Sequence, residues 1–322
     1  MHKAQKKAVT FTSGDLRNDL RTGMSRILEI LLLDRTTSRP GSPKNIIWAN
    51  DNYQQYDPVA YGATAQITPE LITGSRGSLI LPRAMKTKAL QKERTKTKAE
   101  VFTPTWIVKK QNDTVDENFT SDDLETYTHR KWLEIACGEA PYMATRYDME
   151  TGELIPIAER VGFVDRKLAR INNEITDKDE WQRLVELAYK SSYGFEWSGD
   201  SLLIARENLL FTYRDYYLAK WGREPQYGAF EKIATIISYN IFQMDGLKFI
   251  IPLTEKMEKV KVTHAPLFDA DELVDKGWGM QQPLFGIDDF HEEWRTIPGR
   301  QAEIMNWDTN GMDVFAWEIP RI

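Results

Sequence analysis

The run Trp132-Leu133-Glu134-Ile135 is apolar but for one acid, and it stops abruptly at Ala136-Cys137-Gly138. An apolar run of that length, bounded by a turn, reads as a buried strand. A glycine at the carboxyl end of a strand lets a ligand lie against the backbone, and an acid beside it can hold an ammonium group. The chemistry implied is cofactor binding. Upstream stands Phe102-Thr103-Pro104, and downstream come three acids in ordered surroundings: Asp165 in "RVGFVDRKL", Asp200 in "GDSLL" and Asp245 in "NIFQMDGL".

Other chemistries are excluded or weakened by composition. The single cysteine, Cys137, allows no intrachain disulfide and no cysteine-built zinc site, and it suits a reducing compartment. The four histidines are scattered without metal-ligand spacing, so no metal is expected. Mean hydropathy is −0.51, and no apolar run approaches the roughly 20 residues that span a bilayer. The first residues lack the apolar core of a secretory signal, so a cytoplasmic location is expected. The 322 residues carry a net charge of −6, which argues against coating nucleic acid by bulk charge. One segment departs from that average: residues 83–98 hold Arg83, Lys86, Lys88, Lys92, Arg94, Lys96 and Lys98. It reads either as a solvated linker or as a phosphate-contacting surface.

These residues need elements to position them. Leu16, Leu20, Met24, Ile27 and Leu31 recur at helical spacing, which predicts a helix over 14–34. Residues 45–53 read as a short buried strand. Pro104 suits a first helical turn with Thr103 as N-cap, placing Trp106, Ile107 and the stem of Lys110 on one face. Residues 146–157 suggest a hairpin at "ETGE". Residues 161–171 fit either a helix or a strand ending in Asp165. Helices are expected over 177–194, with Gly194 as its stop, over 199–222, with Asp200 as N-cap, and over 230–240. A strand carrying Asp245 follows, and the tail resembles a hairpin around Asn310-Gly311. Alternating helices and strands make α/β the expected class.

Taken together, "FTP" (102–104), "LEIACGEAP" (133–141) and "NIFQMD" (240–245) resemble the S-adenosylmethionine-dependent adenine-N6 DNA methyltransferases of restriction-modification systems. More narrowly, the chain looks like the short "restriction endonuclease subunit M" proteins of bacteria and their phages. The resemblance covers roughly 99–250. It implies a Rossmann-like sheet with helices on both faces at 99–255, preceded by a helical region and basic linker (1–98) and followed by an acidic segment and hairpin (256–322). It also implies S-adenosyl-L-methionine held by Phe102, Thr103, Pro104, Glu134, Ala136, Cys137 and Gly138. Glu134 and Ala140 replace the family's aspartate and second glycine. The family's ribose-binding acid is either Asp165 or Asp245, the latter only if 142–199 is an insertion. On the first alternative Asp200 would meet the adenine ring.

The family's catalytic Asn/Asp/Ser-Pro-Pro-aromatic motif accepts hydrogen bonds from the target amino group and stacks on the flipped base. No Pro-Pro occurs in this chain. Two stand-ins keep an amide beside an aromatic: Asn240 with Phe242, and Asn306 with Trp307. The resemblance therefore implies a DNA methyltransferase or a cofactor-binding subunit that works with a partner subunit. The alternatives are a non-catalytic regulator of the same fold and a methyltransferase acting on RNA or protein.

Overall fold

The computed structural model describes Val9 and residues 16–98, 103–263 and 290–314. The chain forms two compact units, Met1–Pro252 with Gln301–Ile322, and Leu253–Arg300. The described residues of 1–98, a region expected to stand apart, fall in the same unit as the sheet that follows.

The helix expected over 14–34 is two helices, α1 (Leu16–Gly23) and α2 (Ser25–Leu32), split at Met24, whose φ of −131° leaves the helical region. Gly23, next to the break, is the poorest helix former after proline. Leu20, Ile27, Leu28 and Leu31 still form one buried stripe. After α3 (Pro69–Ile72) comes the basic helix α4 (Lys88–Lys98). Helix α5 (Thr105–Asp116) has Pro104, not Thr103, at its N-cap. It buries Val108 and Asn112 and leaves Trp106 exposed, so its inward face is not the expected one. The Asn112 amide donates to the carbonyls of Tyr142 and Val161, which fixes that choice.

Helix α6 (Leu124–His129) leads into β1 (Trp132–Glu134). Residues 161–171 are helical, within α7 (Phe163–Glu174), and α8 (Lys178–Lys190) is capped by Asp177. Gly194 is not the stop of α8. It lies inside β2 (Ser192–Glu196), where an added Cβ would sit 2.3 Å from the Met143 methyl. A close approach, rather than a helix end, is what requires glycine there. Helices α9 (Gly199–Trp221) and α10 (Tyr227–Asn240) precede β3 (Ile241–Gln243). The three strands form a parallel sheet in the order β1-β2-β3, with Leu133 opposite Tyr193 and Phe195 opposite Phe242.

One face of the sheet meets helices: Trp132 stacks on Phe163 of α7 at 4.9 Å, and Ile241 joins the main core. The other face, with Leu133, Phe195 and Phe242, packs on Phe249, Ala302 and Ile304. Among the described residues that face carries a hairpin, β6 (Glu303–Asn306) with β7 (Gly311–Val314), in place of the expected second layer of helices. Asn310 makes its turn at φ 54°.

Helix α9 is buried from Gly199 to Tyr213, so its polar residues must be satisfied internally. The Arg206 guanidinium donates to the carbonyls of Leu31, Leu33, Ser238 and Ile241. Glu207 accepts from Arg21, and the Asn208 amide donates to the Glu139 carbonyl and the Tyr147 hydroxyl. These bonds join α1 and α2 to the sheet. The second unit is an antiparallel hairpin, β4 (Lys256–Thr263) with β5 (Phe290–Ile297).

Candidate functional site

A cavity of about 530 Å³ opens at the carboxyl ends of β1 and β2, where open parallel sheets usually place ligands. β1 ends on Glu134, and the chain then turns through three left-handed residues: Ala136 (φ 49°), Gly138 (φ 54°) and Ala140 (φ 63°). Ala140 thus takes the conformation that a glycine would adopt freely. For alanine it costs about 1–2 kcal/mol, so surrounding bonds must hold the loop. Cys137 N–H donates to the Phe195 carbonyl at 2.8 Å, and Ala140 N–H to the Cys137 carbonyl at 2.7 Å.

Two carboxylates complete the clamp. Glu134 accepts from the amides of Tyr142 and Met143 at 3.1 and 2.9 Å. Glu196, at the end of β2, accepts from the amides of Gly138 and Ser198 at 2.9 and 3.0 Å. Burial pushes the Glu134 carboxyl up to about 8; the two amide donors pull the other way and the Glu196 charge adds a further rise. Burial also raises Glu196, against the pull of the same kind of donors. The Cys137 thiol is raised by burial and then by both carboxylates.

The facing wall comes from the N-terminal residues. The expected strand at 45–53 is two isolated bridges, Asn45 to Leu33 and Ile47 to Gln66, followed by a turn in which Ala49 has φ 53°. Gln243 holds it, accepting from Ile47 N–H and donating to the Ile47 and Trp197 carbonyls. The Trp197 indole donates to the Ala49 carbonyl at 2.6 Å. Gly199 approaches so closely that an added Cβ would lie 2.1 Å from the Ile47 oxygen. Asp200 is no N-cap: it accepts from Asn50 (3.0 Å), the Tyr53 hydroxyl (2.7 Å) and Arg94 (3.2 Å). Ala49, Asn50, Asn52 and Thr103 line the cavity with the acids, and among the described residues no Lys or Arg lines it.

The expected site residues divide. Thr103, Glu134, Ala136, Cys137, Gly138 and Asp200 line the cavity, Pro104 sits at the start of α5, and Phe102 lies outside the described residues. Asp165 does not line it. It is buried in α7, accepting from the Thr145 amide and hydroxyl, and burial pushes it up to about 6. Asp245 lies just past β3 and caps its own turn through the amides of Leu247 and Lys248. Neither candidate ribose acid is among the residues lining the cavity. The catalytic stand-ins are also elsewhere. Asn240 precedes β3 at the amino end of the sheet, donating to the carbonyls of Tyr189, Lys190 and Ser192 and accepting from the Trp307 indole. Phe242 is core on the far face, and Asn306 bonds Asp313 and its own turn.

The residue that sequence reasoning missed is Glu196. The available signal was "SYGFEW", a short aromatic run ending in an acid immediately before a long helix. Among the described residues no cluster of His, Cys, Asp or Glu could hold a metal, and no helix is long and apolar enough to cross a membrane. No family model, curated protein or solved structure matches the chain.

Proposed function

We propose that the cavity binds S-adenosyl-L-methionine and that the chain is a methyltransferase-type protein directed at adenine in DNA, as the resemblance implies. One observation carries this reading: a buried carboxylate, Glu134, and a half-buried one, Glu196, end adjacent parallel strands on either side of a left-handed loop, in a cavity with no basic lining residue among the described residues. Such a site offers a phosphate no lining cation among the described residues, which disfavours dinucleotides and nucleoside triphosphates. It suits a ligand with cationic groups and a polyol. An ionised carboxylate has about four lone-pair positions, so Glu196 keeps acceptor capacity for ribose hydroxyls beyond its two amide bonds. Glu134, pushed by burial toward its neutral form, would ionise beside an ammonium group and supply its counter-charge. The bound cofactor would supply an electrophilic methyl group.

A second reading, a cofactor-binding subunit whose catalytic group comes from a partner, is favoured by the distance of Asn240, Asn306 and Trp307 from the cavity. Isothermal calorimetry tests the common premise. S-adenosylmethionine should bind where ATP does not, and Glu196→Ala should weaken it at least tenfold. Equal binding of ATP, or unchanged binding by Glu196→Ala, rejects the site. Tritiated methyl transfer to unmethylated DNA, with and without a candidate partner, then separates the two readings.

A further inference from the structure

The seven cations of residues 83–98 do not form one surface. Arg94 is buried and pairs with Asp200 at 3.2 Å, and Lys86 is also buried. Arg83 turns inward to Thr95, and Gln91 donates to the carbonyls of Arg83 and Lys86. Helix α4 is therefore docked through Gln91, Arg94 and Thr95. Lys88, Lys92 and Lys96 are exposed, and their four-residue spacing stacks them along one side, with Lys92 about 200° around the axis from Arg94. The Lys98 side chain lies outside the described residues.

We propose that the Lys88–Lys92–Lys96 ridge of α4 is the surface that carries a nucleic-acid phosphate backbone past the rim of the cavity; its purpose, though not its existence, rests on the transferase reading above. Three features support it. The ridge spans about 12 Å at 1.5 Å per residue, enough to face three to four phosphates of one strand at about 3.4 Å each. Like charges at this spacing destabilise an isolated helix by a few tenths of a kcal/mol per pair, and the exposed lysines gain no burial in return. And Arg94 anchors the opposite side of α4 to Asp200, a residue that lines the cavity. A solvated linker needs no such anchor. The ridge is positive, whereas the described residues lining the cavity include acids and no Lys or Arg, so a polyanion is held on the ridge without entering the site.

The test is the salt dependence of binding, read by fluorescence anisotropy between 50 and 200 mM salt as about one counterion released per phosphate. The probes are a labelled duplex DNA, the same single strand, and an RNA of that sequence. Lys88→Ala/Lys92→Ala/Lys96→Ala should flatten the slope of log K against log salt by about 2.7 on duplex DNA, three contacts at roughly 0.9 each. Alanine is a better helix former than lysine, so α4 is kept. A drop on DNA alone assigns DNA; a drop on all three probes assigns the phosphate backbone whatever the sugar. A control neutralising three exposed lysines elsewhere, Lys44, Lys110 and Lys232, should leave the slope unchanged. An unchanged slope in the α4 variant, an equal drop in the control, or no binding by the parent protein each overturns the proposal. Calorimetry with S-adenosylmethionine on the same preparations keeps the two readings apart: loss of the slope without cofactor binding retains the ridge and rejects the cavity assignment.

Discussion

Glu134→Gln should make the protein more stable, and increasingly so as pH rises. The Glu134 carboxyl titrates at about 8 in the folded chain against an ordinary value of 4.5. Between those limits the folded state binds more protons than the unfolded one, so stability falls as pH rises. The fall begins above the unfolded value and is complete once pH exceeds the folded one. Each unit is worth about 1.4 kcal/mol, so the full displacement penalises the ionised folded state by roughly 5 kcal/mol. Glutamine stays neutral. The variant should match the parent near pH 5 and exceed it by roughly 1.4 kcal/mol per pH unit up to about pH 8. Urea unfolding followed by tryptophan fluorescence at pH 5.5, 7 and 8.5 measures the difference. The opposing force is specific: the amides of Tyr142 and Met143 both donate to this carboxylate, and losing one such acceptor costs about 1–3 kcal/mol. If Glu134→Gln is less stable than the parent at pH 8.5, those two amides outweigh burial and the reasoning fails.

Five further substitutions separate strain, contact and satisfaction. Ala136→Gly should stabilise by about 0.5–1 kcal/mol, since relief of the left-handed φ exceeds glycine's unfolded-state entropy at an exposed position. Ala140→Gly should be near neutral in the same urea titration, because a fully buried methyl worth about 0.8 kcal/mol is lost with the strain. Gly199→Ala drives its Cβ against the Ile47 backbone oxygen and should cost about 3 kcal/mol or more, whereas at Gly194 the obstacle is the end of a methionine and Gly194→Ala should cost about 1 kcal/mol. Asn240→Ala removes the donor to three buried carbonyls and should cost about 2–3 kcal/mol in urea unfolding. Calorimetry should find its cofactor binding unchanged, as a structural rather than a catalytic role requires.

The first half of the site was legible because it is local. An apolar run closing on Ala136-Cys137-Gly138 specifies a strand and a turn with no help from elsewhere, and it lies where the sequence puts it. Glu196 was hidden because Gly194 has two meanings: after a helix it reads as a stop, but here it leaves space for the Met143 methyl inside a central strand. The wall at 47–53 has no periodic signature at all. It is one bridge and a strained alanine, held by Gln243, Trp197 and Asp200 from distant parts of the chain. Asn240 illustrates the reverse error, since an amide next to an aromatic looks available in sequence while three carbonyls and an indole consume it in the fold.

The two strand-end acids also explain why the loop between them can stay strained. Left-handed alanines persist only where their surroundings over-determine them, and here the Gly138, Tyr142 and Met143 amides are pinned by Glu196 and Glu134. Holding the loop requires carboxylate acceptors, yet burial without a basic partner pushes those same carboxylates toward the neutral form. A cation entering the cavity resolves the conflict: it favours the ionised acids, which then grip the amides more strongly. Ligand charge, acid ionisation and loop rigidity are thus one linked equilibrium. In that equilibrium a neutral ligand of the same shape would leave the loop held by weaker, partly protonated acceptors.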